Sequence, residues 1–247
     1  MEWHKRFVQQ AVWTNELRAY LFERAGMESA RRVLEAGCGT GAILSGLTCR
    51  ADIHGLDLEP TRLVEARLHA PQAILACGDV LALPYAPGIF DITFCHFLLL
   101  WVREPLQALL EMKRVTRPGG NILAMAEPDY DGRLDKPEMF EPLGRAQAES
   151  LQRQGVDTGL GVRLAEMFHQ AGIPLIETGT LRMNREHPPG IREWDLEWAV
   201  LEADLAGRIP AEEIQRLKSL DKAAWESGER VLYVPTYFAW GQLAQMV

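Results

Sequence analysis

VLEAGCGTG, residues 33–41, decides how the rest of this chain is read. Val33 and Leu34 end a short apolar strand, and Gly37, Gly39 and Gly41 alternate through a turn that leads into AILSGLT, 42–48, which reads as a helix. Glycines at such a turn let the backbone take left-handed dihedrals and let a ligand lie against bare peptide. Strand, glycine loop and helix open a doubly wound nucleotide-binding sheet. Glu35 stands two residues before the first glycine. A carboxylate there is poorly placed for a pyrophosphate and suits a ligand that carries a cation.

Further segments follow in order. IHGLDLEP, 53–60, is a strand that ends in Asp57; GDVLALPY, 78–85, puts Asp79 just beyond a third apolar run; FDITFCH, 90–96, precedes RVTRPGG, 114–120. In this order and spacing, residues 30–128 resemble the class I S-adenosylmethionine (SAM)-dependent methyltransferases, in particular the small-molecule branch that includes the ubiquinone- and menaquinone-type enzymes. The resemblance implies an α/β fold, a doubly wound, mostly parallel seven-stranded sheet. It also implies SAM as cofactor, S-adenosylhomocysteine as product, and methyl transfer to nitrogen, oxygen or carbon of a small organic acceptor.

A nicotinamide-dependent dehydrogenase is the rival. Gly37, Gly39 and Ala42 satisfy its glycine fingerprint, and Asp57 falls where a ribose-binding acid is expected. Against it, the third glycine comes one position early, at Gly41, and the GD and RPGG pairs follow the methyltransferase pattern. No second set of alternating strands and helices follows residue 128 to hold a hydride partner. A SAM-binding accessory protein without catalysis is the other alternative, which intact cofactor motifs do not separate from an enzyme.

Composition narrows the class. With 47% hydrophobic residues in 247, the chain buries a sizeable core, and a net charge of −8 disfavours a nucleic-acid binder. The longest apolar run, 92–102, is too short to span a bilayer, and MEWHKRFVQQ is no signal peptide. Cys38, Cys49, Cys77 and Cys95 show no paired spacing and read as reduced thiols of a cytoplasmic protein. No metal site is expected, because no Cys/His grouping has ligand spacing.

Periodicity predicts an amphipathic helix over 5–25, strands near 32–36, 53–57, 73–77 and 90–95, and helices near 60–68 and 104–115. A fifth strand, 121–128, stops at Pro128. Beyond it come helices at 137–154 and 161–171, a strand at 175–183, a Pro188-Pro189-Gly190 break, two helices within 191–227 and a β-rich end. The family's closing antiparallel hairpin is thus opened by a helical insertion, about 188–228. The whole chain, 1–247, reads as one domain, with the insertion as a cap.

Residue by residue, the resemblance gives the glycine loop (Gly37, Cys38, Gly39, Gly41) to the cofactor's tail and ribose, and Asp57 to the ribose hydroxyls. Leu58 would face the adenine, while Gly78, Asp79 and the Val80 backbone would meet its edge. Glu35 would take the tail ammonium, and Arg18, on the N-terminal helix, the tail carboxylate. Cys95 and His96 end the fourth strand beneath the methyl group, with His96 the candidate base. Glu127, Asp129 and Tyr130 end the fifth, as further candidates for handling the acceptor's proton. Trp194, Trp198, Tyr233, Tyr237 and Trp240 line an acceptor pocket or pack the cap. Asp91, at the start of the fourth strand, reads as structural.

Overall fold

The computed structural model describes residues 3–181 and 190–245. The Pro188-Pro189 break and the end of the strand expected at 175–183 lie outside these residues. Strands β1 (Arg32–Ala36), β2 (Asp52–Asp57), β3 (Ile74–Cys77), β4 (Phe90–His96) and β5 (Thr116–Pro128) are mutually parallel. The sheet continues with β7 (Leu175–Leu181) and β9 (Thr236–Gln242) in the order β3-β2-β1-β4-β5-β9-β7, with β9 antiparallel to both its neighbours. The seven-stranded, mostly parallel sheet expected from the sequence is therefore present. Its strand order reverses between β1 and β4, where ligands of such sheets bind at the carboxyl ends.

The central strands are apolar runs because helices cover both faces. α4 (Pro105–Val115) and α6 (Leu160–Gln170) bring Leu109, Met112, Leu164 and Phe168 against Leu34, Cys95 and Ile122. On the other face α2 (Asn15–Arg24) packs Leu21 and Phe22 against Val33, Phe94 and Leu123. α3 (Pro60–His69) covers β2 through Leu63.

Two helical expectations are corrected. The segment after the glycine loop is not an α-helix but a single 3₁₀ turn, Leu44–Gly46. As a helix, residues 42–51 would advance only about 15 Å, whereas β2, to whose start they must return, is about 20 Å long. A more extended path closes that gap. The helix expected over 5–25 is two, α1 (Trp3–Trp13) and α2, parted at Thr14 with φ −108° and ψ 9°.

After β5 the chain forms β6 (Leu134–Lys136), α5 (Glu141–Arg153), α6 and β7, then α7 (Ile191–Leu205), α8 (Ala211–Glu226) and β8 (Val231–Tyr233). β6 and β8 pair as a small antiparallel sheet that periodicity does not predict. α7 and α8 stand between β7 and β9 in sequence, so the closing antiparallel pair is indeed opened by helices. Phe140, Leu143, Trp198, Leu205, Ile214 and Leu217 form their own apolar cluster with α5.

Candidate functional site

At the end of β1 the loop turns through left-handed glycines: Gly37 has φ +74° and Gly39 φ +52°. A Cβ at Gly37 would come within 2.5 Å of Leu98, and one at Gly39 within 3.1 Å of the Phe7 ring, so both positions need the bare backbone. Gly37 and Cys38 donate their amides to Leu56 O. Asp57, buried at the end of β2, accepts from Gly39 N at 2.7 Å through one oxygen and from Glu59 N at 3.0 Å through the other. The carboxylate thus ties the glycine loop to the next strand end.

Glu35 is buried, and its Oε2 has no hydrogen-bond partner. Burial pushes its carboxyl well above the usual range; the Arg18 charge opposes that and Asp57 adds to it. A buried carboxylate without a partner is costly, and a cationic group brought into contact would relieve it. Arg18 reaches this region from α2. Its Nη1 donates to Ala11 O and, at 2.9 Å, to Thr14 Oγ1, while Nη2 donates to Asn15 Oδ1 at 3.3 Å.

Thr14 Oγ1 lies 2.8 Å from His96 Nε2 at the end of β4. Burial, aided by the Arg18 charge, pushes the His96 pKa down to about 3. His96 is therefore a neutral imidazole with one nitrogen engaged, and a base this weak is far from the value that proton abstraction near neutrality wants. That counts against the base role expected for it.

Further corrections concern the acids and thiols. Glu127 is fully buried and accepts from the amides of Leu98, Leu99 and Leu100 at 3.0–3.1 Å. Desolvation still raises its pKa to about 7. Its carboxylate anchors the turn after β4. Asp129 accepts from Asp131 N and Gly132 N and shapes the loop after β5. Cys95 lies in the sheet's core beside Ala36 and Leu99, and burial raises its thiol pKa, as it does that of Cys38. Both side chains stay protonated. Asp91 accepts from Arg31 N and Arg32 N and pairs with Arg117, the structural role expected of it.

On the other flank Leu58 is 62% exposed beyond β2, an apolar surface with nothing packed over it. Asp79 is exposed and accepts from Leu81 N at 2.9 Å, capping the turn Val80–Ala82. Gly78 N donates to Asp57 O, which sets these two loops side by side.

A cavity of about 780 Å³ opens next to Arg18. Its walls include Phe97, Tyr130, Arg133 and Gln147, with Glu197, Val200 and Leu201 from α7. Such a size and mixed lining suit a small organic molecule. Tyr130 is thus a cavity residue, and burial raises its pKa, so it keeps its proton. Trp194 and Trp198 are not in the wall: both indoles donate to Asp221 Oδ2. Trp240 donates to Asn121, and Tyr237 packs against the core. Phe97, Arg133 and Gln147 had no sequence signal, since only the fold brings them to one wall.

The model of the family described as "Methyltransferase domain" matches residues 34–124. Over those residues the chain is similar to a methyltransferase domain. The malonyl-[acyl-carrier protein] O-methyltransferase of Halorhodospira halophila is 35% identical over 127 residues, 48% of this chain and 43% of the relative. The ubiquinone/menaquinone biosynthesis C-methyltransferase of Roseobacter denitrificans is 35% identical over 123 residues, 46% of this chain and 48% of the relative. The chain spans about half the length of the curated relatives it matches first. A solved structure from Bacillus halodurans, itself a candidate methyltransferase, superposes with a TM-score of 0.65 at 15% identity. That superposition covers 92% of this chain and 98% of the other, and it carries the methyltransferase-domain fold over nearly the whole chain.

Proposed function

We propose that this protein transfers the methyl group of SAM to nitrogen, oxygen or carbon of a small organic acceptor held in the cavity beside α1, α2 and α7. The observation that carries this reading is the orphaned Oε2 of Glu35, buried behind a glycine loop and within the field of Arg18. An amino-acid tail has an ammonium for the first and a carboxylate for the second. A pyrophosphate would set a second anion against Glu35 instead of giving it a partner.

In this reading Glu35 holds the ammonium, Arg18 the carboxylate, and Gly37–Gly41 the tail and ribose. Asp57 meets the ribose hydroxyls with the lone pairs its two amide bonds leave over, and Leu58 and Asp79 face the base. The cofactor supplies a sulfonium methyl that is already electrophilic, so in-line displacement needs chiefly proximity and alignment. The cavity walls provide those. Tyr130 donates a hydrogen bond to the acceptor, and His96, neutral, positions Thr14. With no side chain here poised as a general base, the acceptor enters already deprotonated or loses its proton to water. α7 and α8 act as a cap, in which α7 contributes Glu197, Val200 and Leu201 to the wall. Among the described residues no helix is long and apolar enough to cross a membrane, and we place the protein in the cytoplasm.

Calorimetric titration with S-adenosylhomocysteine and with NAD tests the cofactor, and release of S-adenosylhomocysteine with candidate acceptors tests transfer. Binding of the first without any turnover moves the protein to an accessory role. Binding of NAD alone sinks the reading.

A further inference from the structure

A second group of chemistry-bearing side chains lies where α1 meets α3. The His4 and His69 rings stack with centroids 3.4 Å apart and planes 6° from parallel. Glu65 completes the group: one nitrogen of each imidazole and one Glu65 oxygen all lie within 4.8 Å of one another. Glu65 and His69 are four residues apart on α3 and so share a helix face. The buried Thr40 places Oγ1 2.8 Å from His4 Nδ1 and fixes the orientation of that ring.

The stacked rings hold their in-plane lone pairs parallel, so an ion shared by both requires the exposed His69 to turn about its side-chain bonds. Two nitrogens bound to one tetrahedral ion at about 2.0–2.1 Å stand roughly 3.4 Å apart, inside the 4.8 Å within which the three ligand atoms already lie. Two imidazoles with one carboxylate favour zinc, cobalt or nickel over magnesium or calcium, which take oxygen donors. A hydrogen-bonded hydroxyl behind a ligating histidine is the usual kind of outer support.

We propose that His4, Glu65 and His69 bind one divalent transition-metal ion, and that the ion fastens α1 to α3 across the glycine loop. Phe7 stands on the same helix as His4, and its ring lies against Gly39. A metal that holds His4 in place holds Phe7 over the loop as well.

Titration of the full chain with cobalt(II), read by visible absorption, and with zinc(II), read by calorimetry, tests the site. One equivalent should bind, with cobalt bands of four- or five-coordination and no thiolate charge-transfer band. His69→Ala and Glu65→Gln should each weaken binding at least about tenfold, the loss that even an outer-partner change brings at metal sites. Both residues lie at the surface or partly so, and a melting curve shows whether the variants are folded. Hydrogen exchange over residues 3–13 should slow when zinc is added. No binding, a thiolate band, or unchanged affinity in both variants overturns the site. Binding with unchanged exchange in α1 overturns the fastening. Neither readout depends on SAM.

Discussion

The hydroxyl of Thr14 and the imidazole of His96 meet at 2.8 Å, joining the break between α1 and α2 to the end of β4. Arg18 donates to the same hydroxyl, so this oxygen links the imidazole to the guanidinium whose charge reaches Glu35. Thr14→Val, which keeps the shape and removes the oxygen, should cost about 1–3 kcal/mol, because a buried ring nitrogen and a guanidinium lose a partner. Chemical denaturation measures it. The same variant should weaken S-adenosylhomocysteine binding while leaving the cavity intact.

His96→Ala tests the neutral reading of the imidazole. Turnover should fall by no more than about threefold once the variant is saturated with cofactor, well short of the hundredfold typical of a lost general base. A pH–rate profile free of an ionisation between 5 and 8 should accompany it. A larger fall with such an ionisation would restore His96 as the base.

Glu35 makes stability depend on pH. Its folded pKa lies above the unfolded value near 4.5, so its contribution is full below that pH and is lost as pH rises through the folded value. Glu35→Gln carries no charge at any pH. The variant should melt a few degrees above the wild type at pH 8 and together with it at pH 4. Calorimetric scans at the two pH values decide it. Its affinity for S-adenosylhomocysteine should drop, since the ammonium loses its anion.

Glu127→Ala leaves the amides of Leu98, Leu99 and Leu100 without their acceptor. The expected loss is about 3 kcal/mol or more, at 1–3 kcal/mol for each buried group left unpaired. Urea unfolding reads it directly. Equal stability would mean that water reaches this turn.

Arg230 is buried between Asp135 of β6 and Asp221 of α8, at 2.7 and 2.6 Å. Asp221→Asn should destabilise the protein by about 3–5 kcal/mol, as breaking a buried pair does. Quenched or shifted emission from Trp194 and Trp198, which share that aspartate, should report local loosening before global unfolding.

The parallel half of the sheet is legible in the sequence because its strands are short apolar runs, two of them closed by a polar residue, as in GLD and FDITFCH. The features missed are those set by distant partners. Thr14 ends α1 in concert with His96, 82 positions away. Glu127 looks like a site acid until Leu98–Leu100 fold over it. β6 and β8 are three residues each and give no alternation to detect. His4 meets Glu65 and His69 only through the fold, so their grouping has no spacing in the chain. Asp57 is legible as the polar end of β2, but its grip on Gly39 N is not.

The position of β9 bears on how the chain matures during synthesis. Among the described residues β9 is the one strand that pairs with β7, and β9 is made only after α7, α8 and β8 have followed. Until then β5 and β7 each present an open edge toward an empty lane in the sheet, and exposed edges invite pairing with other chains. The five parallel strands can already pair with one another once β5 is made, and domains fold as they emerge. A stalled or truncated nascent chain lacking β9 would thus hold a nearly finished sheet with a sticky gap, a natural target for holding chaperones and for proteolysis.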